Sequence, residues 1–207
     1  MNCHIFDFDG VILDSANIKE NVFIDLYKDH KPSSKYSEIV DYLKENPGLP
    51  RQNKIKYIEE LILKNPESKK DIELKLKLFK KNVFERVIRA DFIEGILNYL
   101  EFLKNTNNML FISSASPDDE LLEIVKAKNI LNYFESIHGS SISKYNCIIN
   151  IKNKFNFNLN SMYFYGDSPH DFDAAKKAKI NFVGIGKYFV ANNEIKVLEN
   201  FENYEKI

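Results

Sequence analysis

Two aspartates, Asp7 and Asp9, close a short apolar run, Cys3-His4-Ile5-Phe6, and Gly10 follows at once. Extended backbone sends residues two apart to the same side, so both carboxyls face one way if the strand geometry persists. Close carboxylates repel, and such a pair needs a cation, a shared proton or solvent. Gly10 permits a sharp turn behind them. A second apolar run, Met162-Tyr163-Phe164-Tyr165, ends in Gly166-Asp167-Ser168-Pro169-His170-Asp171. Hard oxygen donors from two strand ends suit Mg²⁺, which keeps several waters and commonly bridges to a phosphate. Each piece also has a plainer reading: a solvated turn for Asp7 and Asp9, and a helix N-cap or first-turn acid for Asp171. An EF-hand loop fits poorly, because its later ligands and terminal glutamate are missing.

Positioning such groups takes strands that end together. Met109-Leu110-Phe111-Ile112 runs into Ser113-Ser114-Ala115-Ser116, and Phe182-Val183-Gly184-Ile185 ends at Gly186; Glu135-Ser136-Ile137-His138 is a weaker candidate. Near-continuous apolar strands are what a parallel sheet covered on both faces requires. Between them, Ile96, Leu97, Leu100 and Leu103, then Leu121, Leu122 and Val125, recur at helical spacing, and a helix is expected from Asp171 to Lys179. The alternation predicts an α/β, doubly wound (Rossmann-like) parallel sheet. Ligands bind such sheets beyond the carboxyl ends of the strands, where this sequence gathers its Asp and Ser residues.

Residues 15–90 break the alternation. They carry helical patterns only, at Ile18 to Tyr27, Tyr36 to Leu43, Gln52 to Leu63 and Glu67 to Ile88, punctuated by Lys31-Pro32, Pro47-Gly48-Leu49-Pro50 and Asn65-Pro66. The expected organisation is a core of residues 1–14 and 91–207, with residues 15–90 inserted as a helical-bundle cap.

In chain order, Asp7-Phe8-Asp9-Gly10-Val11, Ser114, Lys144 and Gly166-Asp167-Ser168-Pro169-His170-Asp171 resemble the four motifs of the haloacid dehalogenase superfamily. The helical insertion sits where the C1-type cap of its subfamily I sits, so the resemblance spans nearly the whole chain. It implies Asp7 as the nucleophile that forms an aspartyl-phosphate. Asp9 would protonate the leaving oxygen and then activate water. Mg²⁺ would be held by Asp7, the Asp9 backbone carbonyl and Asp167, with Asp171 a direct or water-mediated partner. Ser114 and the Ala115 N–H would hold the phosphoryl oxygens, with Ser113 the alternative hydroxyl. Lys144 would pair with phosphate and with Asp7; Tyr145 follows it where many relatives have proline, and Lys152 and Lys154 are the fallbacks. In the cap, Gly48-Leu49-Pro50-Arg51 resembles a loop that faces the site, and Arg51 would read the leaving group. Cap motion would hinge near Ser15 to Asn17 and Arg89 to Asp91.

The activity implied is Mg²⁺-dependent hydrolysis of a small metabolite phosphate, with a sugar phosphate as the expected substrate class. The same residues would support a sugar phosphomutase, and a non-catalytic binding protein on the same fold is the third reading. A dehalogenase normally lacks the second aspartate, which Asp9 supplies.

Composition narrows the partners. Lys+Arg 29 against Asp+Glu 30 leaves a net charge of -1, unlike the basic footprint of a nucleic-acid-binding domain. With 44% hydrophobic residues, 16 Phe and 11 Tyr, the 207-residue chain can bury a real core. No run reads as a signal or membrane-spanning segment, and Cys3 and Cys147 offer neither a disulfide framework nor a metal pair, so a reduced, cytoplasmic protein is expected. His4 reads as a packed or hydrogen-bonded strand residue, and His170 is the histidine nearest the expected chemistry.

Overall fold

The computed structural model describes residues 1–46, 49–189 and 195–204. Six strands form one sheet: β1 (Cys3–Phe6), β2 (Met109–Ser113), β3 (Ser136–His138), β4 (Met162–Gly166), β5 (Asn181–Ile185) and β6 (Lys196–Leu198). Their order is β3-β2-β1-β4-β5-β6, and every pairing is parallel. The chain therefore leaves the central β1 to build one side and returns to build the other, which puts a switch point between β1 and β4.

Side-chain alternation divides the sheet into two faces. Cys3 and Ile5 of β1 join Phe111 and Phe164 under the helices α7 (Lys144–Phe155) and α8 (Pro169–Ala178), against Cys147, Ile148, Ile151, Ala174 and Ala175. His4 and Phe6 point the other way, towards α5 (Ile96–Asn105), where Phe6 stacks on Tyr165 at 4.5 Å and Tyr99 on Phe201 at 5.3 Å. α5 buries Ile96, Leu100 and Leu103 as expected, but Tyr99 takes the place of Leu97, which is exposed. The remaining core helix, α6 (Asp118–Ala127), likewise buries Leu121, Ile124 and Val125 and exposes Leu122.

By contacts the chain divides into two compact units, Met1–Ser15 with Ala90–Ile207, and Ala16–Arg89. The second unit is helical: α1 (Ile18–Leu26), α2 (Ser34–Glu45), α3 (Arg51–Tyr57), which runs on into a π-helical turn over Ile58–Ile62, and α4 (Lys69–Val87). Its buried residues are mostly apolar, with Phe23 on Phe79 at 4.2 Å and Val22, Ile39, Ile55 and Val83 also buried. Glu59 is buried there and kept paired by Lys75, which also reaches Glu67 at 2.7 Å. An unpaired charge at that depth would be costly.

Two details depart from expectation. α8 begins at Pro169, two residues earlier than Asp171, because proline suits the first helical turn, where its missing N–H is not needed. β6 carries no apolar alternation and was not expected; it gains its place through pairing with β5.

Candidate active site

β1, β2 and β4 end side by side, and their next residues converge. Asp7 continues the ladder by donating its N–H to Tyr165 O at 2.9 Å, which fixes its backbone beside β4. Asp167 follows the last residue of β4, and Asp171 stands in the first turn of α8. Asp7, Asp167 and Asp171 each offer a carboxylate oxygen within 4.8 Å of the others. Lys144, the first residue of α7, sets its Nζ 3.0 Å from Asp7 Oδ2 and 2.5 Å from Asp171 Oδ1. Lys152 and Lys154 lie two and three turns further along that helix, and the lysine that meets Asp7 is Lys144.

Asp171 is fully buried and engaged at both oxygens. Oδ1 takes Lys144, and Oδ2 accepts from the Ser168 N–H at 3.2 Å and the Ser168 hydroxyl at 2.6 Å. The helix-capping role and the place in the acidic cluster are thus both real. This close approach explains Gly166: a Cβ there would meet Asp171 Cβ at 2.2 Å and Cγ at 2.6 Å. Gly166→Ala is expected to cost about 3 kcal/mol, at the upper end for forcing atoms into a packed site. Urea unfolding would measure it, and an unchanged midpoint would show that Asp171 can move aside freely.

Burial and mutual repulsion load the cluster. Burial raises the Asp7 carboxyl to about 7; Lys144 pulls it down, while Asp171, Asp9 and Asp167 push it up. Burial, with Asp171 behind it, takes Asp167 to about 6 against the pull of Lys144. Burial works against the Lys144 ammonium, but Asp7 and Asp171 outweigh it and hold the group above its ordinary value. Three oxygen donors and one ammonium leave excess negative charge in a low-dielectric site, which a hard divalent cation would neutralise. The donor set fits Mg²⁺ or a similar ion.

Asp9 belongs to a different network. Gly10 takes φ +80 and turns the chain back, so that the Ser15 hydroxyl donates to Asp9 Oδ1 at 2.6 Å. From the β2 loop the Ser116 hydroxyl donates to Asp9 Oδ2 at 3.2 Å. Neither serine was expected from the sequence; Ser15 is six residues from Asp9 and is brought back only by the turn. Ser114 is buried, and its Oγ accepts the Ser116 N–H at 3.1 Å, which leaves its own proton to give. Ser113 turns to the α7 side and hydrogen-bonds the Cys147 thiol, while Ala115 is exposed. Asp118, also not singled out, accepts from the Gly139 N–H at 2.8 Å and the Ser141 N–H at 3.1 Å, tying the β2 loop to the loop that leads into Lys144. His170 is exposed.

Arg51 starts α3 in the helical unit with its guanidinium 4.9 Å from the Phe79 ring centroid. Pro47 and Gly48 of the same loop lie outside the described residues.

Solved structures share this fold across their whole length. A Thermotoga maritima protein to which a β-phosphoglucomutase activity is provisionally assigned superposes with a TM-score of 0.78 at 20% identity, covering 100% of this chain and 99% of that one. A protein from Entamoeba histolytica described as a HAD hydrolase of family IA gives a TM-score of 0.74 at 16% identity, covering 98% of this chain and 95% of that one. A curated Thermotoga maritima protein, named a phosphorylated carbohydrates phosphatase, is 23% identical over 185 residues, covering 87% of this chain and 82% of its own. No helix among the described residues is long and apolar enough to cross a membrane. The family profile described as haloacid dehalogenase-like hydrolase matches residues 4–185, and with its motifs converging at the ends of β1, β2 and β4 the chain belongs to that family of hydrolases.

Proposed function

We propose that this chain is a Mg²⁺-dependent phosphatase of small phosphorylated carbohydrates, working through an aspartyl-phosphate on Asp7. The observation that carries the reading is the buried cluster at the β1–β4 switch point, where Asp7, Asp167 and Asp171 meet one another and Lys144 bonds two of them. The name of the curated Thermotoga relative supports the substrate class. Residues 15–90 would form the cap that selects the substrate, with Arg51 reading its polar groups.

In this account Asp7 attacks phosphorus in line as the carbohydrate oxygen departs. Lys144 draws in the phosphoryl oxygens, and the Ser114 hydroxyl and Ala115 N–H receive them. Asp9, oriented by Ser15 and Ser116, gives its proton to the leaving oxygen and takes one back from the water that hydrolyses the acyl phosphate. Asp7, Asp167 and the Asp9 carbonyl would hold Mg²⁺, with Asp171 outside its first ligands because Lys144 and Ser168 already occupy its oxygens. When bound, the ion supplies charge neutralisation that lets an anionic nucleophile approach an anionic ester.

Orientation of Asp9 makes a separate prediction. Ser116→Ala should lower kcat roughly tenfold with little change in KM, and Ser15→Ala/Ser116→Ala roughly a hundredfold, since only proton transfer is misaligned. Steady-state kinetics would measure both; a rise in KM at constant kcat would assign these serines to substrate binding instead.

A phosphomutase is the second reading, favoured by the activity assigned to the Thermotoga structural neighbour. Phosphate release from a panel of sugar phosphates, with Mg²⁺ or EDTA, tests the proposal. Metal-dependent release supports the phosphatase. Isomerisation of a hexose 1-phosphate that requires a 1,6-bisphosphate, without net phosphate release, would replace it with the mutase.

A further inference from the structure

The groups proposed to receive the phosphoryl oxygens come from two separate loops. Ser114 and Ala115 follow β2, while Lys144 stands at the end of the loop that leaves β3. Backbone bonds join the loops at two points. The Ser114 N–H donates to His138 O at 2.9 Å, and the Ser140 N–H donates to Ser116 O at 2.8 Å. Gly139 lies where the loops meet. It is buried, and a Cβ there would stand 2.5 Å from Ser116 O and 2.7 Å from both the N and the Cα of Asp118.

Asp118 closes this junction. It is the first residue of α6, a place where the helix dipole alone favours an acid. Both its oxygens nevertheless reach across to the other loop: Oδ1 accepts the Gly139 N–H at 2.8 Å, and Oδ2 accepts the Ser141 N–H at 3.1 Å. The Gly139 N–H leads the contacts that hold its carboxyl below the ordinary aspartate value. The group is therefore ionised at neutral pH, and both bonds are charge-assisted. One carboxylate bonded to N–H groups two residues apart fixes the direction of that segment as well as its distance. Ser141 is three residues before Lys144, and between them Ser143 caps α7, its hydroxyl accepting the Asn146 N–H at 3.3 Å. Movement of residues 139–141 would thus pass directly to the start of α7 and to Lys144.

We infer that Asp118 is a positioning residue: by bonding the Gly139 and Ser141 N–H groups it keeps the Lys144 ammonium and the Ser114 hydroxyl in register on one phosphoryl group. It touches none of the reacting atoms. The phosphoryl group in this inference rests on the phosphatase reading; the tie between the loops does not.

Asp118→Ala and Gly139→Ala attack the junction from opposite loops, one by removing the acceptor and the other by overfilling the contact. Each should lower kcat roughly tenfold and raise both KM and the inhibition constant of inorganic phosphate roughly threefold to tenfold, because Lys144 and Ser114 meet the phosphoryl group before the transition state as well as in it. A variant that only folds less well loses active molecules, so kcat falls while KM and phosphate inhibition stay unchanged; that result would overturn the inference. Asp118 is exposed, so its truncation opens no cavity, and it decides alone if Gly139→Ala does not fold. Amide exchange without substrate tests the tie apart from any activity. In Asp118→Ala the Gly139, Ser140 and Ser141 N–H groups should exchange at least about tenfold faster, while those of β1 and β4 keep their rates. An unchanged rate at Ser140, which bonds Ser116 rather than Asp118, would show that Asp118 does not hold the loops together. Wild type that releases no phosphate from any ester would end the phosphatase reading, and the exchange rates would still decide for or against Asp118.

Discussion

Asp7→Asn is expected to abolish phosphate release, by roughly four orders of magnitude or more, the scale on which loss of a nucleophile is felt. The amide preserves shape but cannot attack phosphorus as an anion. The same change should not unfold the protein. Metal-free Asp7 sits with its pKa raised to about 7 from 3.8, so its ionised form is what the fold tolerates poorly. An acid whose folded pKa lies above its unfolded value loses stability as pH rises through that interval. Wild type without metal should therefore be more stable near pH 5 than near pH 8, and the Asp167 carboxyl at about 6 adds to the same trend. Asp7→Asn removes the larger part of that slope. Urea unfolding in EDTA at several pH values, beside phosphate-release assays, would measure both halves. A variant that is inactive because it is unfolded would be evidence only for a structural role.

Lys144→Met is the second large effect, and it separates charge from shape. The ammonium bonds two carboxylates, and removing it leaves Asp7, Asp167 and Asp171 facing one another without compensation. Breaking a buried pair from one side typically costs about 3 to 5 kcal/mol. Here the loss should be larger in EDTA at pH 8 than near pH 5, because Asp7 and Asp167 escape by taking up protons. The Asp7 and Asp167 carboxyls, already raised, move further upward once the cation is gone, so the interval over which stability falls stretches to higher pH. Mg²⁺ should restore part of the stability at pH 8. Activity should drop roughly a hundredfold to a thousandfold even with saturating Mg²⁺, as for loss of one preorganised charge at a reacting phosphoryl group. Thermal unfolding across pH with Mg²⁺ or EDTA measures this. Equal destabilisation at both pH values would mean that Lys144 acts through packing alone.

The sheet was legible because its central strands are apolar runs that end in chemically distinct residues: β1 at Asp7, β2 at Ser113 and Ser114, β4 at Gly166-Asp167. The helical patterns within residues 15–90 were legible between their Pro and Gly punctuation, and the described residues there form helices. Short peripheral pieces were not, since β6 is three residues held by pairing with β5 and carries no pattern of its own. α5 was read as a stripe of Ile96, Leu97, Leu100 and Leu103, yet Tyr99 is buried in place of Leu97 and its hydroxyl meets that of Tyr165, a partner no spacing rule reveals. Within the site, Asp7, Lys144, Asp167 and Asp171 could be named from motif and type, and the structure brings them together. Ser15 and Ser116 could not, because their contacts to Asp9 depend on how two loops fold over one another. Asp118 reads locally as a helix-start acid, and its bonds to the Gly139 and Ser141 N–H groups span twenty-odd residues.

The covalent step is tested most directly by trapping it. Wild-type protein mixed rapidly with a turned-over sugar phosphate and Mg²⁺, quenched in acid and digested, should yield the peptide containing Asp7 carrying one phosphoryl group. That adduct should be absent in EDTA and in Asp7→Asn. Phosphate release at full rate with no adduct on Asp7, or an adduct on another residue, would contradict the account.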